Sequence, residues 1–296
     1  MKSLVWIFAS MRPAQWTKNF VVFAALIFSR NLLHGDLALR SVEGFVVFCL
    51  LSGAVYLIND IADVDRDRLH TEKRNRPLPS GRLSVRVAVA GALVMLLIAG
   101  AGAWRLGPGL FAVACGFISL NILYSFVLKR VALLDVMSIS VSFILRAIAG
   151  VEVLRPLDAT IEISPWLLIC TLFLSLFLAF CKRRHELLSF DGAADHREVL
   201  TDYSPALIDS LVSLTAGGAV LSYSIYTIWP DTVEKFGTQH LVYTIPLVLL
   251  GVMRYLYLVY KKDKGGSPSD LLLGEPFLLI DVIAWIALVI VILQEF

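Results

Sequence analysis

The sequence predicts an all-α, polytopic membrane protein that crosses the bilayer about nine times, folded as a single integral membrane domain over residues 1–296. Three observations predict it. Hydrophobic residues make up 58% of the chain and charged residues only 17%, where a soluble domain carries about 25%. The mean hydropathy is +0.77, and the apolar stretches recur from one end to the other, so none reads as a cleavable leader. Lysine and arginine, finally, sort themselves into alternate loops.

A spanning helix needs about 20 apolar residues. On that measure helices are expected near 19–33, 42–60, 84–106, 108–128, 131–153, 165–181, 206–229, 240–260 and 276–294. With the N-terminus inside, the cytoplasmic segments hold Lys2, Arg12, Lys18, Arg66, Arg68, Lys73, Arg74, Arg76, Arg82 and Arg86. They also hold Lys129, Arg130, Lys182, Arg183, Arg184, Arg197, Lys261, Lys262 and Lys264, against Arg30, Arg40, Arg105, Arg155 and Lys235 opposite. That bias places the N-terminus and the chemically rich loops in the cytoplasm and, with an odd helix count, the C-terminus outside. The cell (inner) membrane is the expected location. The four cysteines, Cys49, Cys115, Cys170 and Cys181, lie in or beside apolar runs without ligand-like spacing and read as small core residues.

The second helix delivers the sharpest signal, NDIADVDRDRLHTEKRNRPLPSG, to a water interface. At 100° per residue and measured from Asp60, Asp67 falls near 340°, Asp63 near 300° and Asn59 near 260°, roughly one quadrant. Asp65, near 140°, falls on the far side. Carboxylates crowded on one face repel one another unless a cation sits among them, and hard oxygen ligands of this kind suit Mg²⁺. Asn59, Asp60, Asp63 and Asp67 are therefore the expected metal ligands. Lys73, Arg74 and Arg76 follow at once, before Pro77, Pro79 and Gly81 force a turn. Acids for a metal followed by bases for phosphate describe a diphosphate site.

Other segments contribute less specifically. In MRPAQWTKNF, Trp16 suits interfacial anchoring, while Arg12 and Lys18 suit either anchoring or the grip of an anionic lipid headgroup. Tyr124, Lys129 and Arg130 share the cytoplasmic face, and Asp135, just inside the membrane, is expected to face a polar cavity. Arg146, some 16 Å further along the axis, either belongs to the site or approaches the outer surface. After the sixth helix, Lys182 and Glu186 fall on one helix face, with Arg183 less closely aligned. His185 shows no partner in the sequence, and Asp195 and His196 read as loop residues. The last loop, KKDKGGSPSD, reads as a flexible, solvated connector. Charged groups gathered at one surface, without inverted repeats, count against a transporter.

Asn59-Asp60-x-x-Asp63-x-x-x-Asp67 resembles the first aspartate motif of the UbiA superfamily of intramembrane prenyltransferases. The resemblance covers essentially the whole chain and implies nine helices around a central cavity open to the cytoplasmic side. Most members carry a second aspartate motif after the sixth helix, where this chain has Lys182-Arg183-Arg184-His185-Glu186. RPAQWTKN, YSFVLK at 124–129, FILRAIAG at 143–150 and KRRHEL at 182–187 are similar to one branch, the decaprenyl-phosphate phosphoribosyltransferases. That branch implies transfer of a phosphoribosyl group from phosphoribosyl pyrophosphate to a polyprenyl phosphate, with Mg²⁺, for cell-envelope sugar polymers. The resemblance makes Asp60, Asp63, Asp67 and Lys129 the catalytic set. Arg12, Lys18, Asn59, Lys73, Arg74, Arg76, Tyr124, Arg146, Lys182, Arg183 and Glu186 become the substrate contacts. The alternative within the superfamily is transfer of a prenyl chain from its diphosphate to an aromatic or quinone precursor. The bilayer is a partner by construction, nucleic acid is not expected, and a homo-oligomer is compatible because membrane helices have faces to spare.

Overall fold

The computed structural model describes residues 2–69, 73–189, 198–262 and 264–295; Asp195, His196 and Arg197 lie outside the described residues. The described residues are helical, without strands, and eight helices are long and apolar enough to cross a membrane. A short helix, α1 (Lys2–Ser10), opens the chain, and no apolar span announces it. Its exposed Leu4, Val5 and Phe8 suit an interfacial position.

The expected first span takes an unusual form. Pro13–Phe23 is 3₁₀-helical and runs into α2 (Ala24–Phe28). A 3₁₀ helix rises about 2.0 Å per residue against 1.5 Å for an α-helix, so this stretch reaches roughly 30 Å, the thickness of the hydrocarbon core. This stretch lies where the first span was expected, beside the eight long apolar helices found among the described residues.

The long helices follow in order. They are α3 (Gly35–Ala62), the short α4 (Val64–Leu69), α5 (Val85–Leu106), α6 (Pro108–Phe126), α7 (Leu134–Leu154), α8 (Pro165–Ser189) and α9 (Pro205–Ile228). After the short α10 (Pro230–Phe236) come α11 (Ile245–Lys261), α12 (Pro268–Gly274) and α13 (Pro276–Glu295). Starts are marked by proline in the first turn at Pro108, Pro205, Pro230 and Pro268, where a missing N–H costs nothing. Ser84 and Ser204 cap α5 and α9 by accepting from Val87 and Leu207.

α3 and α7 form the axis of the bundle: 61% and 56% of their most apolar windows are buried, against 22–28% for α5, α6, α11 and α13, which face lipid. One apolar cluster joins α3, α6 and α7 through Phe48, Phe117 and Val153, and a second joins α8, α9 and α11 through Phe177, Ile208 and Leu258. Without a water-driven term between helices in lipid, close packing holds them. Glycine supplies it where α7 meets the first crossing, since a Cβ added at Gly150 would strike the Val22 carbonyl oxygen.

Two expectations need correction. The segment CKRRHEL does not open a loop but forms the last turns of α8. The loop before the final helix is not wholly a flexible connector: Ser267 accepts from the Asp270 N–H to cap α12, and α12 packs on the 3₁₀ crossing. Gly265 and Gly266 lie so close to His185 that an added Cβ would approach its atoms to 2.9 and 2.8 Å.

Candidate active site

The acidic segment is built at the end of α3. The helix stops at Ala62, Asp63 takes a φ of −105°, and α4 resumes at once. The Asp63 N–H donates to the Asn59 carbonyl at 3.0 Å and the Asp67 N–H to the Asp63 carbonyl at 2.8 Å, so the helical register survives the break. Asp60 and Asp67 accordingly share the inward face, both buried, while Asp65 stands outside at 88% side-chain exposure beside Arg68. The seven-residue spacing predicts this sorting.

Each inward carboxylate meets a cation brought from elsewhere in the chain. Arg12 Nη2 lies 2.5 Å from Asp60 Oδ1. Arg76 Nη1 bridges Asp67 Oδ2 at 2.7 Å and Asp60 Oδ1 at 3.4 Å. Lys129 Nζ donates to both oxygens of Asp63, at 2.7 and 2.9 Å. Arg12 sits in the left-handed region (φ 53°) between α1 and the 3₁₀ crossing, and its guanidinium stacks 4.9 Å over the Tyr56 ring.

The four residues expected on one metal-binding face are each among the described residues, with the inward acids paired to cations. Among the described residues no three metal-ligating acids or imidazoles gather as a ready cluster. The turn at Asp63 swings that carboxylate towards Lys129, whereas Asp60 and Asp67 converge on one guanidinium nitrogen. Two buried carboxylates aimed at a single positive charge fit a hard divalent cation, with Asp63 and the half-buried Asn59 beside them.

Deeper in the bundle lies Arg146, away from the outer surface. It is an interior residue, 6% exposed. Its Nε donates to Asn19 Oδ1 at 2.8 Å and its Nη1 to the Ser142 carbonyl and hydroxyl at 2.9 and 2.7 Å. Phe117 and Phe143 lie under the guanidinium at 4.7 and 5.3 Å. Neither Arg146 nor Lys18 forms an ion pair within 4.0 Å among the described residues; Lys18 lies within electrostatic reach of Arg12, Arg146 and Asp270. Asn19, Ser52 and Tyr56, which join this polar interior, carry no separate signal in the sequence beyond their place on apolar helices.

At the end of α8, Arg183, expected as a substrate contact, is buried and paired with acids. It is 1% exposed, with Nε 2.6 Å from Asp135 Oδ2 and Nη1 2.5 Å from Glu186 Oε2. The carboxylate of Asp135, which needed a polar partner inside the membrane, draws the guanidinium inward. Lys182 lies 3.8 Å from Glu186, as the four-residue spacing predicts, and Tyr124 is within electrostatic reach of Arg183. Tyr203 completes the group by donating to Asp135 Oδ1 at 2.8 Å. Burial pushes its phenol well above the ordinary value, so the proton is retained. Arg74 is exposed and Lys73 half-buried, both on the turn that follows α4.

Comparison with known proteins agrees with this geometry. The model of the UbiA prenyltransferase family matches residues 19–273. The decaprenyl-phosphate phosphoribosyltransferase of Mycobacterium tuberculosis is 34% identical over 95% of this chain and 91% of its own length. The enzyme of the same name from Corynebacterium glutamicum is 32% identical over 94% of this chain and 83% of its own. Among solved structures, a UbiA homolog from Archaeoglobus fulgidus bound to GPP and Mg²⁺ superimposes with a TM-score of 0.71, covering 98% of this chain and 99% of that one at 20% identity.

Proposed function

The chain belongs to the UbiA prenyltransferase family, and on that premise we propose that it is a polyprenyl-phosphate phosphoribosyltransferase. It moves the 5-phosphoribosyl group from phosphoribosyl pyrophosphate to a polyprenyl phosphate of the decaprenyl class and releases pyrophosphate. Two supports carry the reading. The relatives matched from end to end bear that name. The observation that carries it in the structure is the convergence of Arg12, Arg76 and Lys129 on the three aspartates at the end of α3.

In the reaction a phosphate oxygen of the lipid forms a bond to the anomeric carbon of ribose while the bond from that carbon to pyrophosphate breaks. The lipid phosphate is already anionic, so it needs positioning rather than a strong base. Arg12 and Lys18, at the entry to the first crossing, hold it by charge, and Arg146 lends a further fixed cation from within the bundle. Arg76 and Lys129, with Lys73, Arg74 and Lys182 around them, meet the phosphate oxygens of the donor. Asp60, Asp63, Asp67 and Asn59 would hold Mg²⁺, which when bound neutralises charge developing on the departing pyrophosphate.

The excess of lysine and arginine at this end supports a cytoplasmic orientation in the cell membrane, where a water-soluble donor is available, and the product would serve envelope sugar polymers. The test is transfer of label from ribose-labelled phosphoribosyl pyrophosphate into the lipid phase by purified protein given polyprenyl phosphate and Mg²⁺. Label in the lipid supports the reading; prenylation of an aromatic acceptor in its place overturns it.

A further inference from the structure

Lys129 depends on a strained joint. It lies in the short 3₁₀ turn Leu128–Arg130 between α6 and α7. The residue before α7, Leu133, has φ 67° and ψ −42°, near the γ-turn conformation that a branched L-residue rarely adopts. Such strain persists only where the surroundings over-determine it. Here the Leu133 N–H donates to Tyr203 Oη at 2.7 Å, and Tyr203 donates onward to Asp135 at 2.8 Å. Asp135 is itself clamped by the buried Arg183. The Leu133 side chain is 48% exposed, so its packing does not hold the conformation.

We propose that Tyr203 is a positioning residue for the transfer reaction: its hydroxyl holds the Leu133 joint in its strained form and so keeps Lys129 on Asp63. This rests on the reading of Lys129 as a substrate contact, but the geometry stands by itself. A residue 74 positions along the chain, beyond α7 and α8, thereby sets the place of a lysine it does not touch. Were the joint to relax to negative φ, the 3₁₀ turn would rotate about the start of α7. The ammonium would then leave the carboxylate.

Glycine adopts positive φ without strain, which gives a rescue that a merely structural role would not show. Tyr203→Phe should lower kcat/KM for transfer by roughly 10-fold or more, the loss expected when a buried donor is left unpaired. In the same variant Lys129, whose side chain is 15% exposed, should be acetylated faster by acetic anhydride, as read by mass spectrometry. Adding Leu133→Gly should restore both the rate and the slow labelling. Loss without rescue, or unchanged labelling of Lys129, overturns the proposal. If the wild-type chain transfers no phosphoribose, the functional reading fails and labelling alone decides the positioning. If Tyr203→Phe does not fold, hydrogen exchange on the wild type decides: a Leu133 amide as slow as the interior of α7 supports the proposal, and a rate typical of an open loop overturns it.

Discussion

Arg76→Met offers a direct probe of the acidic centre. Methionine keeps most of the apolar stem and removes the charge that Asp60 and Asp67 share. Both carboxylate oxygens lie within 3.4 Å of one guanidinium nitrogen. Their separation is therefore under about 7 Å, and at an effective dielectric near 20 the exposed repulsion is roughly 2–3 kcal/mol. Breaking a fully buried pair costs about 3–5 kcal/mol, and Arg76 keeps 32% side-chain exposure, so the lower figure is expected. Arg12 remains on Asp60 and limits the damage. In detergent, without divalent cations, the midpoint of thermal unfolding should fall by roughly 4–8 °C. Mg²⁺ should then stabilise the variant more than the wild type, because the ion no longer competes with a guanidinium for the same oxygens. An unchanged midpoint, or an equal response to Mg²⁺ in both proteins, would refute the reasoning.

Other consequences can be checked in parallel. Asp63→Asn and Asp67→Asn should each cut turnover by about 100-fold or more while the protein still elutes as a folded species; near-normal activity in both would sink the assignment. Chelation by EDTA should abolish transfer, and excess Mg²⁺ should restore it within the same sample. Gly150→Ala should destabilise by about 1–3 kcal/mol, seen as a lowered unfolding midpoint, because the added methyl meets the backbone of the first crossing rather than a movable side chain. The same variant should weaken binding of the lipid acceptor, since Lys18 and Asn19 ride on that crossing.

Local rules explain what the sequence discloses. Apolar length finds the eight long spans, although α3 begins seven residues before and α8 ends eight residues after the expected bounds. The seven-residue spacing separates Asp60 and Asp67 from Asp65. The 3₁₀ pitch of Pro13–Phe23 is not readable, because the same apolar run would suit a shorter α-helix. The break at Asp63 is equally silent; one non-helical residue redirects a carboxylate while the hydrogen-bond register continues. Contacts between distant segments are the least legible. Asp135 announces a need for a partner, yet nothing local says that Arg183, 48 residues on, will be drawn into the core to meet it. Tyr203 gives no sign at all of its hold on Leu133.

The most direct measurement follows both products of a single reaction. Purified protein in detergent is given phosphoribosyl pyrophosphate, a polyprenyl phosphate and Mg²⁺, and lipid mass and released pyrophosphate are read together. The account predicts a lipid heavier by one phosphoribosyl group and one pyrophosphate released for each lipid converted. An unchanged lipid, from protein that instead consumes a prenyl diphosphate in the presence of an aromatic acceptor, would contradict it.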